Sequence, residues 1–230
     1  MELRRKSLRR RNSMKDYRES STLRELNRMN YGSVPFIGQG KSGKTLSMYA
    51  FIEACPDLIF RPKAFFDFPD VTMFPDYFAA YPVSSFDDII PGSIAIFEDA
   101  NRLFSSRDFR GSKSVDLQKF MGVISHKDIL CMFTIQNTAN IDQCIFRDQR
   151  VLNVHKQTDT IGLCYEREEF KGYCQQANIV LPSFASGYGR PIELLSYVPM
   201  YSEVVDVIPP EWYGKRQSCA LRDYKILGDA

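Results

Sequence analysis

Residues Gly38-Gln39-Gly40-Lys41-Ser42-Gly43-Lys44-Thr45 match the pattern G-x-x-x-x-G-K-[ST] at every fixed position. Each residue type has a task at that spacing. Glycines let the backbone bend around a β-phosphate so that successive N–H groups converge on it. A helix starting directly after the loop turns its positive N-terminal end toward the same oxygens. Lys44 brings a full charge to the β- and γ-phosphates, and the Thr45 hydroxyl is a ligand for Mg²⁺. The chemistry is the binding of ATP along the whole run from Gly38 to Thr45. The context the motif requires is present on both sides. Val34-Pro35-Phe36-Ile37 is an apolar strand before it, and Leu46, Met48, Tyr49, Phe51 and Ile52 fit a packed helix from Lys44 to Cys55, stopped by Pro56.

A triphosphate site also needs acidic groups for the metal and for the attacking water. Four apolar residues, Ile94–Phe97, run straight into Glu98-Asp99. By position, Glu98 belongs to the Mg²⁺ shell and Asp99 orients or activates water. The order reverses the common Asp-Glu. Asp99 is a methylene shorter than glutamate, so slow turnover is expected. A third apolar run, Phe133-Thr134-Ile135, ends in Gln136. An amide at the carboxyl edge of an open α/β sheet stands where ligands bind, within reach of both γ-phosphate and water.

These groups require a scaffold, and the apolar pattern supplies one. Ser33–Ile37, Ser93–Phe97, Ile129–Ile135 and Val151–Val154 read as strands, and Leu58–Phe66 as an edge strand or two pieces broken by Pro62. Val115–Ile124 reads as a helix, and a shorter one through Leu23, Leu26 and Met29 is capped by Ser21 or Thr22. The stretch from Asp67 to Pro91, with its prolines and aromatics, reads as irregular with a helical turn near Phe86, and Arg107–Ser114 as an exposed loop. Strands alternating with helices predict an α/β fold: a P-loop domain with a mainly parallel central sheet flanked by helices. Beyond Gln157 the pattern weakens. The division expected is a basic N-terminal arm with a short helix (1–30), a P-loop core (31–157) and an extension completing or packing on that core (158–230).

Composition narrows the field. At 44% hydrophobic and 25% charged residues in 230, the chain is an ordinary globular one, not a disordered or fibrous one. No apolar run reaches the roughly 18–20 residues of a membrane helix, and no apolar segment follows the N-terminal charges as in a secretion signal. Cys55, Cys131, Cys144, Cys164, Cys174 and Cys219 are scattered, which reads as reduced thiols, and two histidines give a zinc site little to build on. The expected setting is cytoplasmic. The net charge of +2 hides an asymmetry: residues 1–30 hold ten Lys/Arg against four Asp/Glu, the remainder 20 against 24. The head beginning MELRRKSLRRRNSMKDYR therefore reads as an arm that contacts phosphates, docks on a neighbouring acidic surface, or simply solubilises. Basic, without an aromatic residue before Tyr17 and without a reading helix, it is expected to contact nucleic acid non-specifically.

Taken together, GQGKSGKT, PGSIAIFEDANRLF and ILCMFTIQNTANID resemble the FtsK–HerA clan of pumping ATPases. Within it the likeness is greatest to viral genome-packaging ATPases, with the zonula occludens toxin-like proteins of filamentous phages as relatives. It covers roughly residues 32–157. Toxin-like proteins carry a membrane helix that this chain lacks, which tilts the resemblance toward a soluble packaging motor. The resemblance implies an ATP- and Mg²⁺-dependent ATPase that translocates double-stranded DNA by non-specific phosphate contacts. It implies a ring, usually a hexamer, acting in the host cytoplasm or on the virion with capsid or portal-vertex proteins. Each site of such a ring is completed by an arginine from the next subunit, here Arg147 or Arg150 in CIFRDQRV, unless these form local ion pairs as with Asp148. Arg102, Arg107 and Arg110 would more naturally line a DNA-facing loop. The alternatives are a P-loop kinase or nucleotide transferase with Ser105–Ser114 as a lid, a non-hydrolysing switch, or a cellular or phage-assembly ATPase of the same clan.

Overall fold

Short runs of β-branched and aromatic residues, apolar on both faces, form the strands of one sheet. The computed structural model describes residues 20–104, 112–136, 141–142, 144–147, 150–156, 161–166, 204–206 and 210–214. Its strands are β1 (Gly32–Ile37), β2 (Lys63–Phe66), β3 (Ala80–Val83), β4 (Ile94–Phe97), β5 (Leu130–Ile135), β6 (Leu152–Lys156), β7 (Ile161–Glu166) and β8 (Val204–Asp206). They lie in the order β3-β2-β4-β5-β1-β6-β7-β8. The first six are parallel. From β6 to β8 the pairing is antiparallel. The helices are α1 (Ser21–Asn27), α2 (Lys44–Ala54), α3 (Pro56–Ile59), α4 (Ala100–Leu103), α5 (Ser112–Val123) and α6 (Cys144–Arg147). This is an α/β P-loop fold with a mainly parallel sheet between helical layers.

Alternate strand residues feed two separate cores, as the two-residue period requires. Val34, Phe36, Phe65, Ile96, Met132 and Val154 face α1, α2 and the segment Phe68–Phe78. Ile37, Phe66, Phe97, Phe133 and Ile135 face α4, α5 and α6. Trp212 and Tyr213 return to the first core and pack on Tyr49 with ring centroids 5.4 and 5.9 Å away. The register aligns Ile37 with Ile135 and Phe97 with Phe133, so the polar residues that follow each strand emerge at one edge.

Several local expectations are corrected. Ser20, not Ser21 or Thr22, caps α1, its hydroxyl accepting from Leu23 N at 3.1 Å. Leu58 and Ile59 are helical because Pro56, with φ already set for a helix, starts α3; only Lys63–Phe66 is strand. Within the stretch expected to be irregular, Ala80–Val83 forms β3, which tolerates Pro82 because it borders the sheet. Ser112–Ser114 belong to α5, not to a loop, while 105–111 lie outside the described residues. Beyond Gln157, β7 and β8 extend the sheet. The arm before Ser20 also lies outside the described residues. Among the described residues Cys55, Cys131 and Cys144 are buried and form no disulfide.

Candidate active site

The P-loop leaves β1 at its carboxyl end. Gly38 N donates to Ile135 O at 3.1 Å, tying the loop to the end of β5. A Cβ on Gly38 would lie 2.6 Å from Ser42 Oγ and 2.8 Å from Lys156 O, so no side chain fits there. Gly43 precedes α2 in the left-handed region at φ 75°, natural for glycine, whereas Lys41 adopts φ 64°, a conformation that costs a residue with a side chain. Ser42 Oγ is buried and has no hydrogen-bond partner among the described residues.

Lys44 opens α2 and is only 8% exposed. Its Nζ donates to Gln39 O at 2.7 Å, so the ammonium folds back over its own loop. Burial lowers the Lys44 pKa, and the nearby Asp99 carboxylate opposes that shift. Thr45, half-buried, follows in the first turn of α2.

The two carboxylates after β4 occupy different environments. Glu98 is 6% exposed, and the Tyr49 hydroxyl donates to its Oε1. Burial first, and the charge of Asp99 second, push the Glu98 carboxyl up to about 8. Asp99 is half-buried and left-handed at φ 51°, ψ 57°, with its N–H donating to Thr134 Oγ1 at 2.7 Å. Asp99 is thus the carboxylate whose charge Lys44 feels. Gln136 is exposed at the end of β5; its N–H donates to Asn101 Oδ1 at 2.7 Å, and its Oε1 comes within 4.0 Å of the point a Gly40 Cβ would occupy.

No protein-family model matches this chain. No curated protein is similar to it either. Solved structures of related shape exist. The DNA-packaging ATPase from Sulfolobus turreted icosahedral virus is 13% identical with a TM-score of 0.46, covering 61% of this chain and 95% of that one. The genome-packaging NTPase from Sulfolobus turreted icosahedral virus 2, solved with AMP, is 12% identical with a TM-score of 0.44, covering 60% and 94%. The N-terminal domain of zonular occludens toxin from Neisseria meningitidis is 18% identical with a TM-score of 0.41, covering 59% and 83%. Both groups of proteins that the sequence resembles are therefore represented. The functional reading rests on the chain's own residues.

The structure thus brings Gly38–Thr45, Glu98, Asp99 and Gln136 to one sheet edge. It does not bring Arg150 there. Arg150 O accepts from Ser33 N at 2.8 Å, beside the start of β1, a strand length or about 20 Å from the P-loop. The Arg150 guanidinium pairs with Glu25 of α1. Arg147 ends α6, and its side chain lies outside the described residues, as do Arg107 and Arg110. Arg102 Nη2 donates to Asp67 O at 3.3 Å. Two contributors escaped the sequence reading, Asn101, which fixes the backbone of Gln136, and Tyr49; Thr134, part of the Thr-x-Gln strand that carries the resemblance, fixes the backbone of Asp99.

No helix among the described residues is long and apolar enough to cross a membrane. Nor do the described residues contain a group of three or more His, Cys, Asp or Glu arranged to hold a metal. The donors at hand, the Thr45 hydroxyl and two carboxylates, are hard oxygens. They suit Mg²⁺, which takes few protein ligands and shares the rest with phosphate and water.

Proposed function

We propose that this protein is an ATP-hydrolysing motor that moves double-stranded DNA, packaging a viral genome into a capsid. One observation carries the catalytic part. The P-loop lysine, the Glu98–Asp99 pair and Gln136 converge at the carboxyl edge of a parallel sheet, with the Asp99 charge acting on Lys44. In this reading the loop N–H groups and Lys44 bind the β- and γ-phosphates, with the orphaned Ser42 hydroxyl turned to the same ligand. Thr45 and Glu98 would hold Mg²⁺, which neutralises charge on the transferring phosphoryl group. Asp99 orients the water, and Gln136 contacts both water and γ-phosphate.

The DNA part rests on the sequence resemblance and on the basic head. Eight Lys/Arg lie between Arg4 and Arg18, enough for several phosphate contacts that weaken steeply with salt. Residues 31–157 would form the motor core, with 1–30 as the arm and 158–230 packed alongside. The motor would act in the host cytoplasm and at the capsid or portal vertex. Arg147 or Arg150 would act on the neighbouring subunit's site in a ring, probing the γ-phosphate in trans. Arg150 stands far from its own P-loop and pairs with Glu25, so a trans role for it would require that ion pair to give way, whereas Arg147 would be free of that demand. The test is subunit mixing. Lys44→Ala protein added to intact protein should depress DNA-stimulated ATPase activity more steeply than dilution. A strictly linear fall would contradict the ring.

A further inference from the structure

The reversed carboxylate order leaves a glutamate where the metal-shell position ordinarily holds an aspartate. The extra methylene adds a rotatable bond, so the carboxylate needs an anchor to keep one orientation. Tyr49 sits on α2 four residues after Thr45, on the same helix face one turn further on. Its hydroxyl donates to Glu98 Oε1, and both side chains are buried, Tyr49 at 1% and Glu98 at 6% exposure. The ring cannot swing away. Phe74 and Phe78 meet it edge-on at 5.4 and 5.9 Å, and Trp212 closes the cluster at 5.4 Å. Trp212 is held in turn by Glu53 of α2, which accepts from its Nε1 at 2.5 Å.

We infer that Tyr49 is a positioning residue: its clamped hydroxyl fixes the Glu98 carboxylate beside Thr45 and takes up the length by which glutamate exceeds aspartate. The inference rests on the reading of Glu98 as a holder of Mg²⁺–nucleotide. A tyrosine buried only for its ring would also need a partner for its hydroxyl. The two roles differ in one respect. A purely structural hydroxyl matters whatever residue stands at 98, whereas a length-compensating one matters only while that residue is glutamate.

The experiment measures binding of a mant-labelled, non-hydrolysable ATP analogue to the full chain, in Mg²⁺ and in EDTA. Emission of Trp212, the single tryptophan, reports whether the aromatic cluster is intact. Tyr49→Phe should leave affinity in EDTA within about twofold of wild type and lose about tenfold of the tightening that Mg²⁺ confers, the scale of a hydrogen bond to a charged group. Glu98→Asp alone should keep most of the Mg²⁺ effect, and Glu98→Gln should lose it. In the Glu98→Asp background, Tyr49→Phe should cost nothing further. An unchanged Mg²⁺ effect in Tyr49→Phe overturns the inference, as does an equal loss in both backgrounds. So does a Glu98→Asp variant as impaired as Glu98→Gln, which needs no substitution of Tyr49. Wild-type protein that binds no nucleotide in either buffer overturns the underlying reading instead.

Discussion

The two edges of the parallel sheet use their cations in opposite ways. At the carboxyl edge, Lys44 donates to a carbonyl of its own loop, and a buried Ser42 hydroxyl has no partner among the described residues. Three residues there, Lys41, Gly43 and Asp99, hold left-handed backbone. At the amino edge, Arg61 donates to five carbonyls: Met29 and Asn30 before β1, Gly92 and Ser93 before β4, and Asp128 before β5. Lys63 beside it donates to Ile59 O at 2.5 Å. In the proposed reading one edge keeps its cation for an anion, while the other uses its cation to join the loops that start the strands.

Substitutions that exchange these roles would break the contrast. The largest effect is expected for Lys44→Ala. ATP hydrolysis should fall about 10²–10³-fold, the scale for loss of one preorganised charge stabiliser. Thermal stability should hold or rise, because the lysine is buried at a cost. A melting temperature that drops along with activity would make Lys44 a cohesive residue like Arg61. For Arg61→Met the pattern inverts. Five carbonyls lose a donor, and urea titration should show a loss of about 3 kcal/mol with nucleotide affinity unchanged. A fall in affinity matching the fall in stability would erase the distinction between the edges.

The smallest effect sharpens the comparison through pH. Burial, against the opposing charge of Glu53 and aided by that of Arg61, lowers the Lys63 pKa to about 8 from its ordinary 10.5. Between those values the unfolded chain binds the proton and the folded one does not, so stability rises with pH across that window. Below pH 8 the fold carries a buried charge and its cost. Lys63→Met removes the term, and wild type should gain about 2 kcal/mol relative to this variant between pH 7 and 9.5. Parallel denaturation curves at the two pH values would contradict it.

Much of the carboxyl edge was legible in the sequence because its chemistry is written locally. The P-loop spacing, the apolar run into Glu98-Asp99, and the run into Gln136 each combine a strand with its polar terminus in under ten residues. The amino edge was not legible. Arg61 is joined to partners 31 to 67 residues away, and nothing near it in sequence marks it. Tyr49 was read as one more apolar residue of α2, which it is by its ring; only the register of β4 against that helix reveals what its hydroxyl reaches. β3 was hidden by Pro82, whose lack of a donor matters little at a border strand, and Trp212 by its 159-residue separation from Glu53. The cap of α1 was misplaced by one residue because three hydroxyl-bearing residues, Ser20, Ser21 and Thr22, stand in a row.

If the proposed function holds, the carboxyl edge is an ATPase site driven by DNA. Phosphate release by the purified chain, with Mg²⁺–ATP, measured with and without long duplex DNA of arbitrary sequence, tests it most directly. Basal release should be slow, rise with DNA, fall back as salt is raised, and disappear in Lys44→Ala. Release that is indifferent to duplex DNA at every salt concentration, or no release above background in either condition, would contradict it.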